Sequence, residues 1–319
     1  MTTLTGPETT RSGGAKPILD GQRPHGEQIL VYVFVLLPVL ALAAAVPLAW
    51  GWGLSWLDVG LAVVFYLLSG LGVTVGFHRH LTHRSFTAHR ALRNGLAIAG
   101  STALQGDVIT WVADHRRHHA FSDSEGDPHS PWRYGTTAGA LAKGFWHAHM
   151  GWLFARDQTN AARFTPDLLA DRDIVRIGRL FPVWTAAGLL VPALLGGLIT
   201  MSWWGALTAL FWAGLVRAAV LHHVTWSINS ICHMIGDRPF ASRDRSTNVW
   251  PLAILSMGES WHNLHHADPT CARHGVRRGQ IDMSAGVIRM FEALGWARNV
   301  RWPTSARLAR LDTRAAVPR

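Results

Sequence analysis

Three short stretches concentrate imidazoles: HRHLTH at 78–83, HRRHH at 115–119 and HNLHH at 262–266. Written as templates they are HxxxxH, HxxHH and HxxHH, and the two HxxHH copies put their three histidines on one face of a helix. Imidazole nitrogens suit Fe, Zn, Cu and Ni, and eight of them are too many for one ion, so two ions are implied. The Glu-x-x-His pattern on paired helices, typical of carboxylate-rich di-iron bundles, is absent. Glu259, three residues before His262, is placed to orient a ring rather than to bind a metal. A metal pair held by nitrogen alone lacks a short carboxylate bridge, so its ions are expected to sit further apart than in the soluble di-iron enzymes.

The elements that carry these boxes lie between apolar runs. Of 319 residues, 49% are hydrophobic and 16% charged, with 16 Trp, which points to a membrane protein. Spans are expected at about 29–50, 57–77, 180–201 and 203–223, each long enough to cross a ~30 Å hydrocarbon core. The connectors 51–56 and 202–204 carry no Lys or Arg, whereas 1–28, 78–176 and 234–319 hold nearly all of the basic residues. By the positive-inside rule both termini and every histidine box are expected on the cytoplasmic side, with a bacterial plasma membrane as the setting. The expectation is an all-α integral membrane domain over 29–297, with a cytoplasmic helical cap (78–176 and 234–297) carrying a di-metal site. It is flanked by a flexible arm at 1–28 and a basic tail at 298–319. The moderately apolar stretch 91–112 contains Arg93, Gln105 and Asp107 and reads as a helix at the interface. Two cysteines, Cys232 and Cys271, make no metal or disulfide pattern. The net charge of +10 comes without a nucleic-acid motif and fits an anionic lipid surface or an acidic redox partner.

The order and spacing of the boxes, with GFHRHLTHRSF (76–86), WVADHRRHHAFSD followed by DPH (111–129), HMGWLFAR (149–156) and GESWHNLHH (258–266), resemble the membrane fatty acyl desaturases, most closely the stearoyl-type acyl-CoA Δ9 enzymes. The resemblance runs from about residue 29 to 275. It implies nine ligating histidines: His78, His83, His115, His118, His119, His233, His262, His265 and His266, with Asn229 acting through a water. It implies an acyl chain bent between Trp111, Gln105, Thr225 and Trp226, and Arg156 as a CoA contact. Gly106, Ala113 and Asp157 stand where animal members carry Asn, Arg and Lys. Glu259, Asp114, His129 and His149 are expected to support the ligands. His80 and His89 are expected to face solvent or bond locally. Arg116 and Arg117 are expected to point away from the ligands toward solvent or lipid phosphates.

What the resemblance implies chemically is removal of two hydrogens from a saturated long-chain acyl thioester, whose methylenes have no acidic proton, by an oxidant made from O2 at two Fe2+ ions. Acyl-CoA stands first, with acyl-lipid and acyl-carrier-protein substrates open. The sequence has no haem module, Rossmann fingerprint or iron–sulfur cysteine set, so a separate NAD(P)H reductase or ferredoxin is expected to supply two electrons. Two rivals remain at this point. A histidine-box membrane hydroxylase would share metals and topology, and a metal transporter would need ionisable ligands within its spans.

Overall fold

The computed structural model describes residues 16–49 and 53–313. A short strand β1 (Leu19–Gln22) leads into α1 (His25–Ala49), and α2 (Trp56–Leu71) continues without a break as a π-helix over Gly72–Thr82. Strand β2 (Thr87–Ala88), α3 (Arg90–Ser101), α4 (Val108–Phe121) and α5 (Ala138–His149) follow. Next come β3 (Asp157–Thr159), the short helices α6 (Ala161–Phe164), α7 (Pro166–Leu169) and α8 (Arg172–Arg179), and α9 (Phe181–Thr200). The chain turns at Met201–Ser202 into α10 (Trp203–Ala209), a second π segment (Leu210–Val216), α11 (Arg217–Ser230) and one 3₁₀ turn (Ile231–His233). Helices α12 (His262–Ala267) and α13 (Met283–Ala293), strand β4 (Ala297–Arg298) and α14 (Ser305–Leu311) complete it.

Among the described residues, four helical stretches are long and apolar enough to cross a membrane: His25–Ala49, Trp56–Thr82, Phe181–Thr200 and Trp203–His233. Their outward apolar side chains, such as Leu40, Val64, Leu194 and Leu207, are exposed, as a hydrocarbon-facing surface requires. The fold is therefore mostly helical, as expected, with two small antiparallel pairs added. Strand β1 pairs with β3, and β2 with β4. These pairs bring residues 19–22 and 297–298 into the fold, so the arm expected at 1–28 is ordered from Leu19, while residues 1–15 lie outside the described residues. The tail expected at 298–319 likewise folds as α14 and is tied by Arg307 to Asp268, with 314–319 outside the described residues.

The second and fourth spans run longer than expected, to Thr82 and His233, because the apolar pattern stops before the helix does. This carries His78 and His233 on the ends of spanning helices. The stretch 91–112 is not one helix. Leu104 (φ 62°) and Gly106 (φ 101°) turn the backbone between α3 and α4, and Asp107 then caps α4 by accepting from the Ile109 and Thr110 amides. At 12 residues, α3 is about 18 Å long, too short to cross.

Close helix packing holds the ends of the spans together. A Cβ at Gly72 would lie 2.1 Å from the Gly100 amide nitrogen, so the π-helix meets α3 backbone to backbone. Arg217, buried in the fourth span, donates to the Ala213, Thr102 and Gly188 carbonyls and to Ser69 Oγ. Four elements are thereby tied to one guanidinium whose donors are all met by neutral oxygens.

Candidate metal centre and adjoining cavity

The local geometry of each box follows from the helix that carries it. In an α-helix residues five apart lie about 140° around the axis, which would separate His78 from His83. The π-helix bonds i to i+5, and the His83 amide donates to the His78 carbonyl at 3.1 Å, so the two rings meet on one face with centroids 4.9 Å apart. On α4, His115 and His119 are one turn apart, and their Nε2 atoms are 3.1 Å apart. On α12, His262 and His266 repeat this at 3.0 Å.

These elements bring all nine expected histidines into two groups. His78, His83, His115, His119 and His265 form one, and His118, His233, His262 and His266 form the other, each with nitrogens within 4.8 Å of one another. The groups adjoin where the His119 and His266 rings stack at 4.5 Å. Within the five-ring group His265 Nε2 lies 3.0 Å from His78 Nε2 and 2.9 Å from His119 Nε2. Within the four-ring group His262 Nε2 lies 3.1 Å from His233 Nε2.

The proton positions decide what these contacts mean. His78 Nδ1 is 2.6 Å from Glu259, His118 Nδ1 3.1 Å from Asp127 and His233 Nδ1 2.9 Å from Asp123, and His266 Nδ1 meets Asp244. A carboxylate claims the Nδ1 proton and leaves Nε2 as a lone pair aimed at the centre. Lone pairs converging at about 3 Å repel unless a cation lies among them. Nitrogen ligands at ~2.1 Å from an ion and at right angles to each other are themselves ~3.0 Å apart. His83 Nε2 and His118 Nε2 are buried with no hydrogen-bond partner. The donor set therefore fits two metal ions, and neither group contains a carboxylate ligand.

Electrostatics reinforce the neutral, ligand-ready state. Burial, then the neighbouring rings, pushes His83, His115, His119 and His265 well below the usual imidazole range. His118 goes the other way: its burial is outweighed by Asp127, then by Asp123 and Asp244, and its pKa is raised. Burial alone would raise the Glu259 carboxyl, but Arg79, His78 and His274 hold it well below the usual range. A metal ion therefore competes with protonation more at His118 than at the depressed rings, which makes binding there the more pH-dependent.

Glu259 orients His78 rather than the nearby His262, because Met257 (φ 55°) and Gly258 (φ 101°) turn the chain back toward the π-helix. A Cβ at Gly258 would meet Asp282 Oδ1 at 2.5 Å. Behind Glu259 sits Arg79, fully buried, bonded to Glu259 Oε1 through Nε and Nη2 and to Asp282 and the Ala272 carbonyl through Nη1. His274 joins this network beside Arg79 and Glu259, with its ring 4.6 Å from His265. The sequence reading missed Arg79, His274, Asp123, Asp127 and Asp244. Asp123 and Asp127 lay inside a quoted motif, and their signal was proximity to HRRHH; Asp244 had none.

Other expected site residues fall in varied places. His129 lies against His118, with ring centroids 4.3 Å apart and the planes tilted by 31°, and next to Asp127. His149 bonds His223 and Ser230, away from the nine rings. Asp114 meets the Thr159 hydroxyl rather than a histidine, and burial, ahead of that bond, raises its pKa to about 6. Arg116 and Arg117 correct the expectation of a solvent or lipid role. Arg116 pairs with Asp167 and donates to the Leu81, Thr82 and Phe164 carbonyls, and Arg117 donates to the Gly126 carbonyl and Thr159 Oγ1. The reason is that the end of the π-helix and the 122–127 turn leave carbonyls that need donors. His80 bonds the Phe86 carbonyl, and His89 caps α3 by accepting from the Leu92 amide.

A cavity of about 720 Å³ opens on both groups through His78, His115 and His262. Its walls include Trp111, Gln105, Thr225, Trp226 and Asn229, and Gln105 Nε2 donates to Thr225 Oγ1 at 3.0 Å. One end reaches Leu189 and Leu221, and the other reaches Arg23, Glu27 and Gln158 by the β1–β3 pair. Arg156 lies next to this second end but spends Nε and Nη2 on the Arg23 carbonyl. A mostly apolar cavity of this volume touching a metal site suits a long aliphatic chain.

Comparison with known proteins agrees with this geometry. The family model described as "Fatty acid desaturase" matches residues 54–282. The hex-5-enoyl-[acyl-carrier protein] acetylenase of Moorena producens is 40% identical over 276 residues, covering 86% of each chain. The Delta-9 acyl-lipid desaturase 2 of Arabidopsis thaliana is 37% identical, covering 86% of this chain and 83% of its own. The sn-1 stearoyl-lipid 9-desaturase of Anabaena variabilis is 36% identical over 288 residues, covering 89% of this chain and 97% of its own. With two adjoining histidine groups that open on an apolar cavity, and helices long and apolar enough to cross a membrane, the chain belongs to the fatty acid desaturase family of membrane oxidoreductases.

Proposed function

We propose that this chain inserts a cis double bond of Δ9 type into a saturated long-chain acyl group, using O2, two bound Fe2+ ions and two electrons from a separate donor. The observation that carries the reading is the pair of histidine groups opening on one apolar cavity. The overall change balances as R–CH2–CH2–R′ + O2 + 2 e⁻ + 2 H⁺ → R–CH=CH–R′ + 2 H2O. Iron, when bound, supplies an oxidant able to take hydrogen from an unactivated methylene. The protein's part is placement. Trp111 and Trp226 confine the chain beside the rings, the Gln105–Thr225 hydrogen bond fixes the wall where it bends, and Asn229 faces the same space. The active side is proposed to face the cytoplasm, from the distribution of Lys and Arg.

For the acyl carrier, the cavity end offers Arg23 against Glu27, Asp107 and Asp114, a poor match to the several phosphate charges of CoA. The desaturase relatives named above act on acyl-lipids. We therefore favour an acyl chain carried by a glycerolipid over acyl-CoA. Gas chromatography–mass spectrometry of lipids from cells with and without the protein, including double-bond location, tests the reading. A new monounsaturated acyl species is expected. No such species with iron and a donor present would sink it, an alcohol would mark a hydroxylase, and an alkyne would match the acetylenase relative. Labelled stearoyl-lipid and stearoyl-CoA offered in parallel separate the two carriers.

A further inference from the structure

The wall between solvent and the four-ring group is thin at one place, and its chemistry is distinctive. His233, a member of that group, accepts a 2.9 Å hydrogen bond at its carbonyl from Trp132 Nε1, and its Nδ1 is held by Asp123. The guanidinium of Arg245 covers the Trp132 ring at 3.9 Å, while the Arg245 amide donates to the same Asp123 carboxylate at 2.8 Å. The side chain of Arg245 is exposed. An indole and a carboxylate thus connect one exposed arginine to one ligand-type ring.

Arg245 is not alone. Arg133, beside Trp132, and Arg238 and Arg243, on the same loop as Arg245, are exposed, and none of the four guanidinium groups meets a carboxylate among the described residues. Of the two acids between 237 and 245, Asp244 turns its carboxylate to His266 and Ser246, which leaves Asp237 exposed. The patch is net positive. Residues 237–249 themselves expose no large apolar side chain, with Phe240 buried, and the exposed Ile235 and Trp250 stand at the two ends of the loop, outside the run that carries Arg238, Arg243 and Arg245.

Resting on the reading above, we infer that the Arg133, Arg238, Arg243 and Arg245 patch is the docking surface for an acidic one-electron protein carrier, with Trp132 and His233 as the shortest path inward. Each docked carrier gives up one electron and is oxidised, so two encounters supply the two electrons that, with two from the C–H bonds, reduce O2 to two waters. Unpaired arginines around a stacked indole suit this occupant, because complementary charge speeds encounter and lets the oxidised carrier leave.

The test uses full-length, iron-loaded protein in detergent and a plant-type [2Fe–2S] ferredoxin as probe. Binding of ferredoxin is measured against salt for the wild type, for Arg243→Glu and for Arg133→Glu/Arg243→Glu/Arg245→Glu. Reduction of the protein by ferredoxin is compared with reduction by dithionite, a small reagent that needs no docking surface. The expected result is at least tenfold weaker binding and tenfold slower reduction by ferredoxin in the triple variant, with a smaller loss in Arg243→Glu. Reduction by dithionite and metal content should stay unchanged in Arg243→Glu. Unchanged ferredoxin binding in both variants overturns the proposal. Lost binding to vesicles containing phosphatidylglycerol, with ferredoxin binding intact, overturns it in favour of a lipid contact. If the wild type binds and is reduced by ferredoxin but makes no alkene, the desaturase reading fails while the docking surface stands.

Discussion

In the four-ring group, His118, His233 and His266 each have Nδ1 tied to an aspartate, whereas in the five-ring group only His78 meets a carboxylate, Glu259. The first group is aimed by anions on loops: Asp123 and Asp127 follow α4, and Asp244 follows the fourth span. The second is aimed by backbone geometry, with His78 and His83 set by the π-helix and His115 and His119 by one turn of α4. The contrast teaches that similar boxes are preorganised by different means. Charge at Nδ1 raises the basicity of a ring toward a metal, while a rigid helix fixes its direction without adding charge.

The largest expected effects remove a ring from either group. His118→Ala and His265→Ala should each abolish desaturation while the protein stays inserted in membranes. Each should also cut the metal content toward one ion per chain; retained activity with two ions would remove the ligand role.

Next, the carboxylates separate the groups. Asp127→Asn should weaken metal binding at the four-ring group about 10–100-fold and leave the five-ring group nearly intact, and Glu259→Gln should do the reverse. Titration of metal-free protein with Co2+, followed spectroscopically, reads the two phases, with the tighter one assigned to the four-ring group. Equal loss in both phases from either variant would erase the comparison.

Acid should act on individual rings with opposite signs, and the four-ring group holds both kinds, because burial depresses His262 and His266 as it does the five-ring members while the aspartates raise His118. His83, His115, His119 and His265 have depressed pKa values in the folded, metal-free protein. The unfolded chain therefore binds more protons below about pH 6.5, and each group takes away up to about 1.4 kcal/mol per pH unit as pH falls further. His118 is raised, so its contribution is fully present below about pH 6.5 and fades as pH rises through its folded value. The melting temperature of the metal-free protein should fall between pH 7 and pH 5, and Asp127→Asn should steepen the fall. A flat profile would contradict the burial argument.

The smallest effect probes the cavity both groups share. Gln105→Leu removes one hydrogen bond to Thr225, of about 1 kcal/mol, and should blur double-bond position or cis geometry with metal content unchanged. An unaltered product spectrum would take the wall residue out of substrate placement.

Local periodicity made the ligand rings legible. HxxHH is a helix pattern, and two copies after separate apolar runs implied one composite site. The spans were legible from length and hydropathy, apart from the helix ends at Thr82 and His233, where polar residues continue a helix that packing sustains. The π-helix was not legible, since HxxxxH fits no α face and nothing in composition marks i to i+5 bonding. The supporting network was hidden for another reason. Arg79 meets Glu259 across 180 residues and Asp123 meets His233 across 110, and no local spacing carries such pairs. Arg116 looked solvated beside the box because the carbonyls it serves lie 34 to 48 residues away, and Arg117 because its Gly126 partner is reached only once the turn after α4 folds back.

The π-helix at Gly72–Thr82 has a consequence for how this chain tolerates change in length. A π segment behaves as an α-helix with one residue too many, and deleting a single residue within 72–77 would let it relax to α with the five-residue spacing of His78 and His83 kept, so the two rings would stand about 140° apart and one would leave the group. Substitutions there are a matter of volume and polarity, but a one-residue deletion is a change of phase. In libraries of deletions, the 72–77 segment should stand out as intolerant even at positions where every point substitution is accepted.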